Sequence, residues 1–376
     1  MLLKMLNFDR LLNMEITSVN VQNFRNYKNE TIHFDKNVNI LVGQNAQGKT
    51  NLIEAIYFCC IGKSPRTNKE SDLINYDNEN SKINLNFLTK EGRKKIEIIL
   101  NKKGKKIVKL NQINILKISQ LVGYLKCIFF SPDDLKLIKE TPQDRRKFLN
   151  TDISQLSKSY FYNLLKYNKI LEQRNNLLKD KNNIQTIKQT ISIWNEQLSE
   201  IGSSIILERL KYTEELKKYI NDIHSYLTNN KEKLEIFYSN YQILDKNSIK
   251  NQFLQQLEEN FEKDFKLGYT TVGPHRDDLR FIINNEDVKN FASQGQQRTV
   301  ALSIKLAEVE IFKNVIGEYP ILLLDDVLSE LDESRKIRLL NIVKRYQTII
   351  TTTKFDNYNL EKTKLIKIEN AHATEI

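Results

Sequence analysis

The run Gly43, Gln44, Asn45, Ala46, Gln47, Gly48, Lys49, Thr50 constrains this chain more than any other feature. It fits the pattern G-x-x-x-x-G-K-[ST], a glycine-bounded loop whose backbone N–H groups curl round phosphates. The pattern needs a strand before it and a helix after it. Both are readable: NVNILV is a continuous apolar run, and NLIEAIYFCC follows directly. The helix entered at Asn51 turns its positive end toward the same anion. In such a loop Lys49 reaches the β and γ phosphates of a nucleoside triphosphate, and Thr50 offers its hydroxyl to Mg²⁺.

A second signal is Ile321 to Asp326, ILLLDD. Four apolar residues ending in acid describe a buried parallel strand that terminates at a site. Asp325 is the candidate for holding Mg²⁺, directly or through water. Asp326 is the candidate for polarising the attacking water, and with Lys49 it forms the catalytic pair.

The organisation of the chain places these motifs in one α/β domain interrupted by helices. Residues 14–42 read as two strands, EITSVNVQNF and VNILVG, feeding the loop at Gly43. Residues 83–110 read as a β-meander with NKKG as a hairpin turn. From Pro142 the pattern turns helical. Ile184, Ile187, Ile191, Trp194, Leu198, Ile201 and Ile205 alternate steps of three and four, the seam of an antiparallel helix pair whose partner would be residues 143–180. The seam breaks near Glu208, which predicts a compact helical subdomain rather than a long arm. After about residue 265 the α/β pattern returns: GYTTVGPHRDDLRFII as two strands around a turn, then YPILLLDD and YQTIITTT. The expected division is lobe I at 14–120 plus 265–376 and a helical lobe II at 121–264. Residues 1–13 read as a loose extension, or Met14 as the natural start.

Composition narrows the class. The 376 residues are 40% hydrophobic and 28% charged, as in globular proteins, and contain no apolar run long enough to span a membrane. Three cysteines, two of them adjacent, make a poor disulfide framework and suit a reducing cytoplasm. Four scattered histidines give no metal-ligand spacing. The net charge of +11 points to a polyanionic partner, DNA first, although richness in Lys, Asn and Ile is also what an AT-rich genome produces.

The class is decided by a third motif. Ser293, Gln294, Gly295, Gln296, Gln297 and Arg298 open a helix shortly before the acidic strand. This run resembles the signature loop of ABC-type ATPases, which caps the γ-phosphate held by an opposite subunit. Read alone, Ser293 is as readily an ordinary helix cap. The order of motifs favours the family: Ser329-Glu-Leu-Asp332 stands at the place of its D-loop, and Thr351, Thr352 and Thr353 stand at its switch loop. The set FRNY (Phe24 to Tyr27), GQNAQGKTN, FFSPDDL, RRKFL, GPHRDD, SQGQQRT, LLLDDVLSELD and ITTT looks like the RecF family of bacterial DNA repair ATPases, similar to the heads of Rad50 and SMC proteins. About 240 residues separate Thr50 from Ser293, too few for the long coiled coil of those relatives.

The resemblance implies an ATP-gated homodimer that binds gapped or junction DNA, helps load the strand-exchange recombinase and works with RecO and RecR. It also implies that Arg66 reaches toward the nucleotide, where a plain surface arginine is the alternative. The chain departs from the wider pattern in three places. Asp326 replaces the usual Glu, consistent with slow, switch-like hydrolysis stimulated by DNA. The switch-loop histidine is missing, so Thr352 or Thr353 would approach the γ-phosphate. The Q-loop glutamine has no clear counterpart, and the loop near Ser131 is its place. For DNA the candidates are Lys102, Lys103, Lys105 and Lys106 on a hairpin, with Arg93, Lys94 and Lys95 nearby and Arg145, Arg146 and Lys147 as weaker ones; a solvated hairpin tip is the alternative. Two other functions remain open, an ABC-type ATPase subunit of another complex and a non-catalytic SMC-like head.

Overall fold

A computed structural model describes residues 13–104, 106–180, 184–238, 241, 245–354 and 362–376. Lys105 and nearly all of the expected N-terminal extension lie outside the described residues. In chain order the strands are β1 (Glu15–Phe24), β2 (Tyr27–His33), β3 (Val38–Val42), β4 (Asn80–Thr89), β5 (Gly92–Asn101), β6 (Lys106–Leu110), β7 (Ile113–Ile115), β8 (Cys127–Phe130), β9 (Leu234–Tyr238), β10 (Leu279–Ile283), β11 (Glu286–Asp287), β12 (Ile321–Asp325), β13 (Thr348–Thr352), β14 (Thr363–Glu369) and β15 (His372–Glu375). The helices are α1 (Lys49–Ile61), α2 (Lys136–Lys139), α3 (Pro142–Leu156), α4 (Lys158–Lys179), α5 (Ile184–Leu227), α6 (Lys246–Glu259), α7 (Phe261–Leu267), α8 (Val288–Phe291), α9 (Gln294–Ile316) and α10 (Glu333–Val343).

These elements form two compact units. The first joins residues 1–135, 219–233 and 293–376, and the second joins 136–218 and 234–292. In the first unit, strands β2-β1-β4-β5-β6-β7 make an antiparallel sheet. Strands β14-β3-β13-β12-β8 make a parallel sheet with β15 antiparallel on its edge. Helix α1 lies between the sheets and is apolar on most of its surface from Leu52 onward, Glu54 being the charged exception. Leu52, Ile53, Ala55, Ile56, Phe58, Cys59 and Cys60 are all fully buried in the core it shares with both sheets. Burial pushes the Cys59 and Cys60 thiols up, so they pack as small hydrophobes rather than react.

The unit boundaries fall elsewhere than at 120 and 264. Strand β8 pairs with β12 from Ile321↔Cys127 to Leu324↔Phe130, so residues 121–135 stay with the parallel sheet. The stretch GYTTVGPHRDD is not a strand; only Leu279–Ile283 of that segment is, in the small sheet β11-β10-β9 of the second unit.

The second unit is mainly helical, with α4 packed against α5 beside its small sheet. Arg174 Nε donates to Asn195 Oδ1 at 2.8 Å and Arg209 Nε to Tyr160 OH at 2.9 Å, contacts that make the pair antiparallel. The expected partner helix is broken at Ser157, whose hydroxyl accepts from Tyr160 N and caps α4. Helix α5 does not stop where the seam breaks. It runs for 44 residues, which is about 66 Å. At the break Arg209 is only 1% exposed, held by Tyr160, Asn150 Oδ1 at 2.9 Å and Pro274 O at 2.6 Å. Apolar periodicity reads this arginine as solvent-facing, yet it is the polar centre of a buried network.

Candidate functional site: the carboxyl edge of the parallel sheet

In a parallel sheet with helices on its faces, ligands bind beyond the carboxyl ends of the strands. Register brings those ends together here: Leu41 faces Thr351, Val42 faces Thr352, and Thr351 faces Asp325. The phosphate-type loop leaves β3 at Gly43 and enters α1 at Lys49. Gly43 has no alternative, because a Cβ there would sit 2.2 Å from the carbonyl oxygen of Ile368 on β14. Gly48 caps α1 at φ 116, a left-handed conformation, with the Tyr27 hydroxyl donating to its carbonyl at 3.2 Å. The loop is also tied to the β14–β15 turn: Ala371 N donates to Gln47 O at 2.9 Å.

At the end of the loop the side chains of Lys49 and Thr50 turn inward, while Gln44, Asn45 and Ala46 are exposed. Lys49 is buried and its ammonium donates to the carbonyls of Gly43 and, at 2.8 Å, of Gln44. Burial lowers its pKa, and the charges of Asp326 and Asp325 oppose that. Thr50 Oγ1 donates to Asp325 Oδ1 at 3.0 Å, and Thr351 Oγ1 donates to the same oxygen at 2.6 Å. Burial raises the Asp325 pKa, and these two hydroxyls pull it back. Asp326 follows at φ 53, its N–H donating to Thr351 Oγ1 at 2.9 Å. Its Oδ1 is buried without a hydrogen-bond partner among the described residues. A left-handed non-glycine residue carrying an orphan carboxylate oxygen is the kind of strain that fold stability alone does not explain.

Beside the loop, Glu54 on α1 is 1% exposed and gathers three donors. Arg25 makes a two-point contact at 2.9 and 2.8 Å, Ser64 Oγ donates at 2.6 Å, and Arg66 lies at 3.3 Å. Arg66 also donates to Asn51 Oδ1 at 2.8 Å, and Asn51 donates to Asn26 Oδ1 at 2.8 Å. Arg66 is thus an exposed arginine tied by Asn51 and Glu54 to the first helical turn after the loop.

The other motifs are placed as follows. Ser293 caps α9, its Oγ accepting from Gln296 N at 3.3 Å while Gln296 Oε1 accepts from Ser293 N at 2.8 Å. Ser293, Gln294 and Gly295 are exposed, and Arg298 pairs with Glu330 at 2.6 Å. Gln297 is buried on α9. Ser329 Oγ donates back to Asp326 O at 2.8 Å, and Asp332 caps α10 through Arg335 N at 2.9 Å. Of the switch threonines, Thr351 is the one at the carboxylate. Thr352 Oγ1 donates to Lys354 O at 2.8 Å, and Thr353 is half-buried. Near Ser131, whose N–H donates to Asp134 Oδ2 at 2.8 Å, the sequence SPDD offers no glutamine.

The basic hairpin divides. Lys103 is exposed, and so is Lys102, although its ammonium donates to Tyr76 O at 2.8 Å and pairs with Glu79 at 3.9 Å. Lys106 is not: it pairs with Glu70, donates to Gly62 O at 3.1 Å and lies 5.3 Å over the Phe58 ring. Arg145 is also withdrawn, buried and paired with Asp278 in the second unit.

Sequence reasoning passed over Glu54 and Arg25 as site residues, and among the switch threonines it favoured Thr352 and Thr353 over Thr351. Thr351 was within reach, since it alone of the three threonines precedes the strand end by the register that meets Asp325. The convergence on Glu54 has no local signal, because Arg25 and Arg66 lie on separate connections.

Comparison with known proteins decides the family. A family model, the RecF/RecN/SMC N terminal domain, matches residues 15–375. The DNA replication and repair protein RecF of Clostridium novyi (strain NT) is 46% identical over 360 residues, 95% of this chain and 99% of the relative. The chain belongs to the RecF family. Its counterpart in Clostridium acetobutylicum is 45% identical over 365 residues, covering 96% and 100% of the two chains. Among solved structures, the recombination mediator protein RecF-ATP in the RecFOR pathway superposes with a TM-score of 0.89 at 37% identity, over 97% of this chain and 98% of that one. The Smc head domain of Pyrococcus furiosus matches at a TM-score of 0.58 and 17% identity, over 96% of each chain, a likeness of fold. The expected α/β class, an ABC-type head with helices, is the fold of this family.

Proposed function

We propose that this chain is an ATP-dependent DNA-binding protein of recombinational repair and replication, acting as a nucleotide-gated homodimer. The observation that carries this reading is the joining of Thr50 and Asp325 through a 3.0 Å hydrogen bond beside the buried Lys49. Nothing in the core requires these polar groups together at a strand end, whereas a triphosphate does.

The phosphates lie on the N–H groups of Gly43 to Thr50 at the positive end of α1. Lys49, its ammonium on the carbonyls of Gly43 and Gln44, exchanges them for phosphate oxygens. An all-oxygen pair, Thr50 Oγ1 and Asp325, suits Mg²⁺, which takes few protein ligands and completes its shell with phosphates and water. Among the described residues there is no cluster of three or more His, Cys, Asp or Glu side chains to cage a metal, which agrees with such a shared shell. When bound, Mg²⁺ neutralises charge on the phosphates. Asp326 aims its unpartnered Oδ1 at the attacking water. Arg66, held by Glu54, extends toward the nucleotide.

The exposed Ser293 and Gly295 at the start of α9 reach the γ-phosphate of a second copy, and Ser329 and Asp332 line the same interface. Two composite sites then close in a twofold dimer, and ATP favours that state because only it makes both sets of contacts. The names of the relatives support DNA repair as the task and RecO and RecR as partners. Lys102 and Lys103 are the best-placed lysines of the hairpin for a DNA backbone. Among the described residues no helix is long and apolar enough to cross a membrane. ATP hydrolysis measured with and without gapped DNA, beside Lys49→Met, tests the reading. Turnover that DNA stimulates and the variant lacks is expected; no turnover under either condition would favour a non-catalytic scaffold.

A further inference from the structure

The end of α5 and the loop after it, residues 219–233, fold into the unit that carries the phosphate-type loop, and nothing above uses them. His224 on α5 and Ser303 on α9 are both fully buried, with His224 Nδ1 3.0 Å from Ser303 Oγ. Across the ring, His224 Nε2 lies 2.9 Å from Glu232 Oε2. Burial lowers the His224 pKa against the pull of Glu232. A carboxylate only accepts, so Nε2–H donates to Glu232, while the Ser303 hydroxyl stands between two acceptors, Thr299 O at 2.7 Å and His224 Nδ1. The second oxygen of Glu232, Oε1, accepts from Gln296 Nε2 at 3.0 Å. Gln296 Oε1 then accepts the N–H of Ser293 at 2.8 Å. The relay is unbroken from the core to the signature serine. Ser293 Oγ accepts from Gln296 N, which leaves the hydroxyl proton to donate outward.

The same segment holds the opposite wall. Arg338 of α10 donates to Tyr226 O at 2.7 Å and to Asn229 Oδ1 at 3.0 Å, and α10 begins at its cap Asp332. Two motifs far apart in sequence are thus braced by one short stretch.

We propose that Glu232, fixed by His224, is a positioning residue that orders the signature loop before the γ-phosphate of a second copy arrives. This rests on the dimer reading above. Without Glu232 the Gln296 side chain regains its rotamer freedom, and that entropy must be lost again when the interface closes.

The test uses the full chain with Glu232→Ala, Glu232→Gln, Gln296→Met and the Glu232→Ala/Gln296→Met double variant. Without nucleotide, Glu232→Ala is expected to speed amide exchange at Ser293. With ATP, Glu232→Ala and Gln296→Met each raise the concentration needed for half-maximal dimerisation about tenfold, the weight of one charge-assisted hydrogen bond. The double variant loses no more than either single one, because both cut the same relay. Glu232→Gln recovers most of the loss: its oxygen still accepts from Gln296, and its NH₂ donates to the other His224 tautomer. ATP affinity measured at dilutions where the protein is monomeric stays at the wild-type value in all four. Unchanged exchange and dimerisation in Glu232→Ala, additive losses in the double variant, or lost ATP affinity in the monomer would each overturn the proposal. A wild-type protein that stays monomeric with ATP would instead remove the dimer reading, and this role with it.

Discussion

Thr50 and Asp325 stand 275 positions apart in the chain, and their side chains meet at 3.0 Å. That hydrogen bond ties the first helical turn after the phosphate-type loop to the end of the acidic strand β12. Thr351 closes the group from the neighbouring strand at 2.6 Å. The parts of this site have separable consequences.

Lys49→Met should lower ATP affinity by about 100-fold or more, since a charge-assisted contact to two phosphates is lost. Because the ammonium now satisfies only loop carbonyls, the melting temperature of the nucleotide-free variant should stay close to wild type. Titration calorimetry beside thermal denaturation checks both halves.

Asp325→Asn should separate function from stability. The buried carboxyl has its pKa raised, so the folded state holds its proton above the ordinary value, and stability falls as pH rises through the raised pKa. Asn keeps an oxygen for Thr50 and Thr351 without the charge. The variant is expected to melt higher than wild type at neutral pH and to lose roughly a thousandfold in turnover. A lower melting temperature would contradict the assignment of burial as the dominant cause.

In the second unit, His275 is half-buried with Nδ1 2.8 Å from the Tyr167 hydroxyl and Nε2 3.1 Å from Thr270 O, and desolvation pushes its pKa down to about 4. The unfolded ring titrates near 6.5, so the unfolded state takes up the proton first as pH falls. Stability should decline between about pH 6.5 and 4 by ~3 kcal/mol. His275→Gln should flatten that part of a denaturant-derived stability profile.

Arg174 and Asp264, both fully buried, meet at 2.8 Å, and Thr270 Oγ1 accepts from Arg174 at 2.7 Å. Arg174→Ala leaves a buried carboxylate without its cation and should cost about 3–5 kcal/mol. Urea denaturation followed by far-ultraviolet circular dichroism measures it.

Replacing Lys103 with Glu should weaken DNA binding and reduce its salt slope while leaving the melting temperature unchanged. Lys106→Glu should act on stability instead, because it meets Glu70.

How much of this was legible in the sequence follows from the kind of signal each residue leaves. The loop at Gly43–Thr50 and the strand ILLLDD announce themselves because residue type, spacing and flanking apolar runs coincide within about ten residues. The seam on α5 was legible to Leu198 and Ile205, both buried, and misleading beyond them. Arg209 interrupts the apolar pattern without ending the helix, since its guanidinium is satisfied by Tyr160, Asn150 and Pro274. GPHRDD alternates like a strand but serves that network as a loop: Pro274 O takes Arg209, Asp277 takes Tyr238 and Asp278 takes Arg145. Polar groups that meet only in the folded chain, such as Glu54 with Arg25 and Arg66, leave no periodicity to read. Lys106 looked like its neighbours on the hairpin because charge alone does not reveal the glutamate waiting 36 positions upstream.

The central claim is that ATP is shared between two copies of this chain. Analytical ultracentrifugation with and without ATP, on wild type, Lys49→Met and Ser293→Arg, tests it most directly. The account predicts a monomer that becomes a dimer only with ATP and only in wild type, with Ser293→Arg still binding ATP as a monomer. A wild-type species whose mass is the same with and without ATP would contradict it.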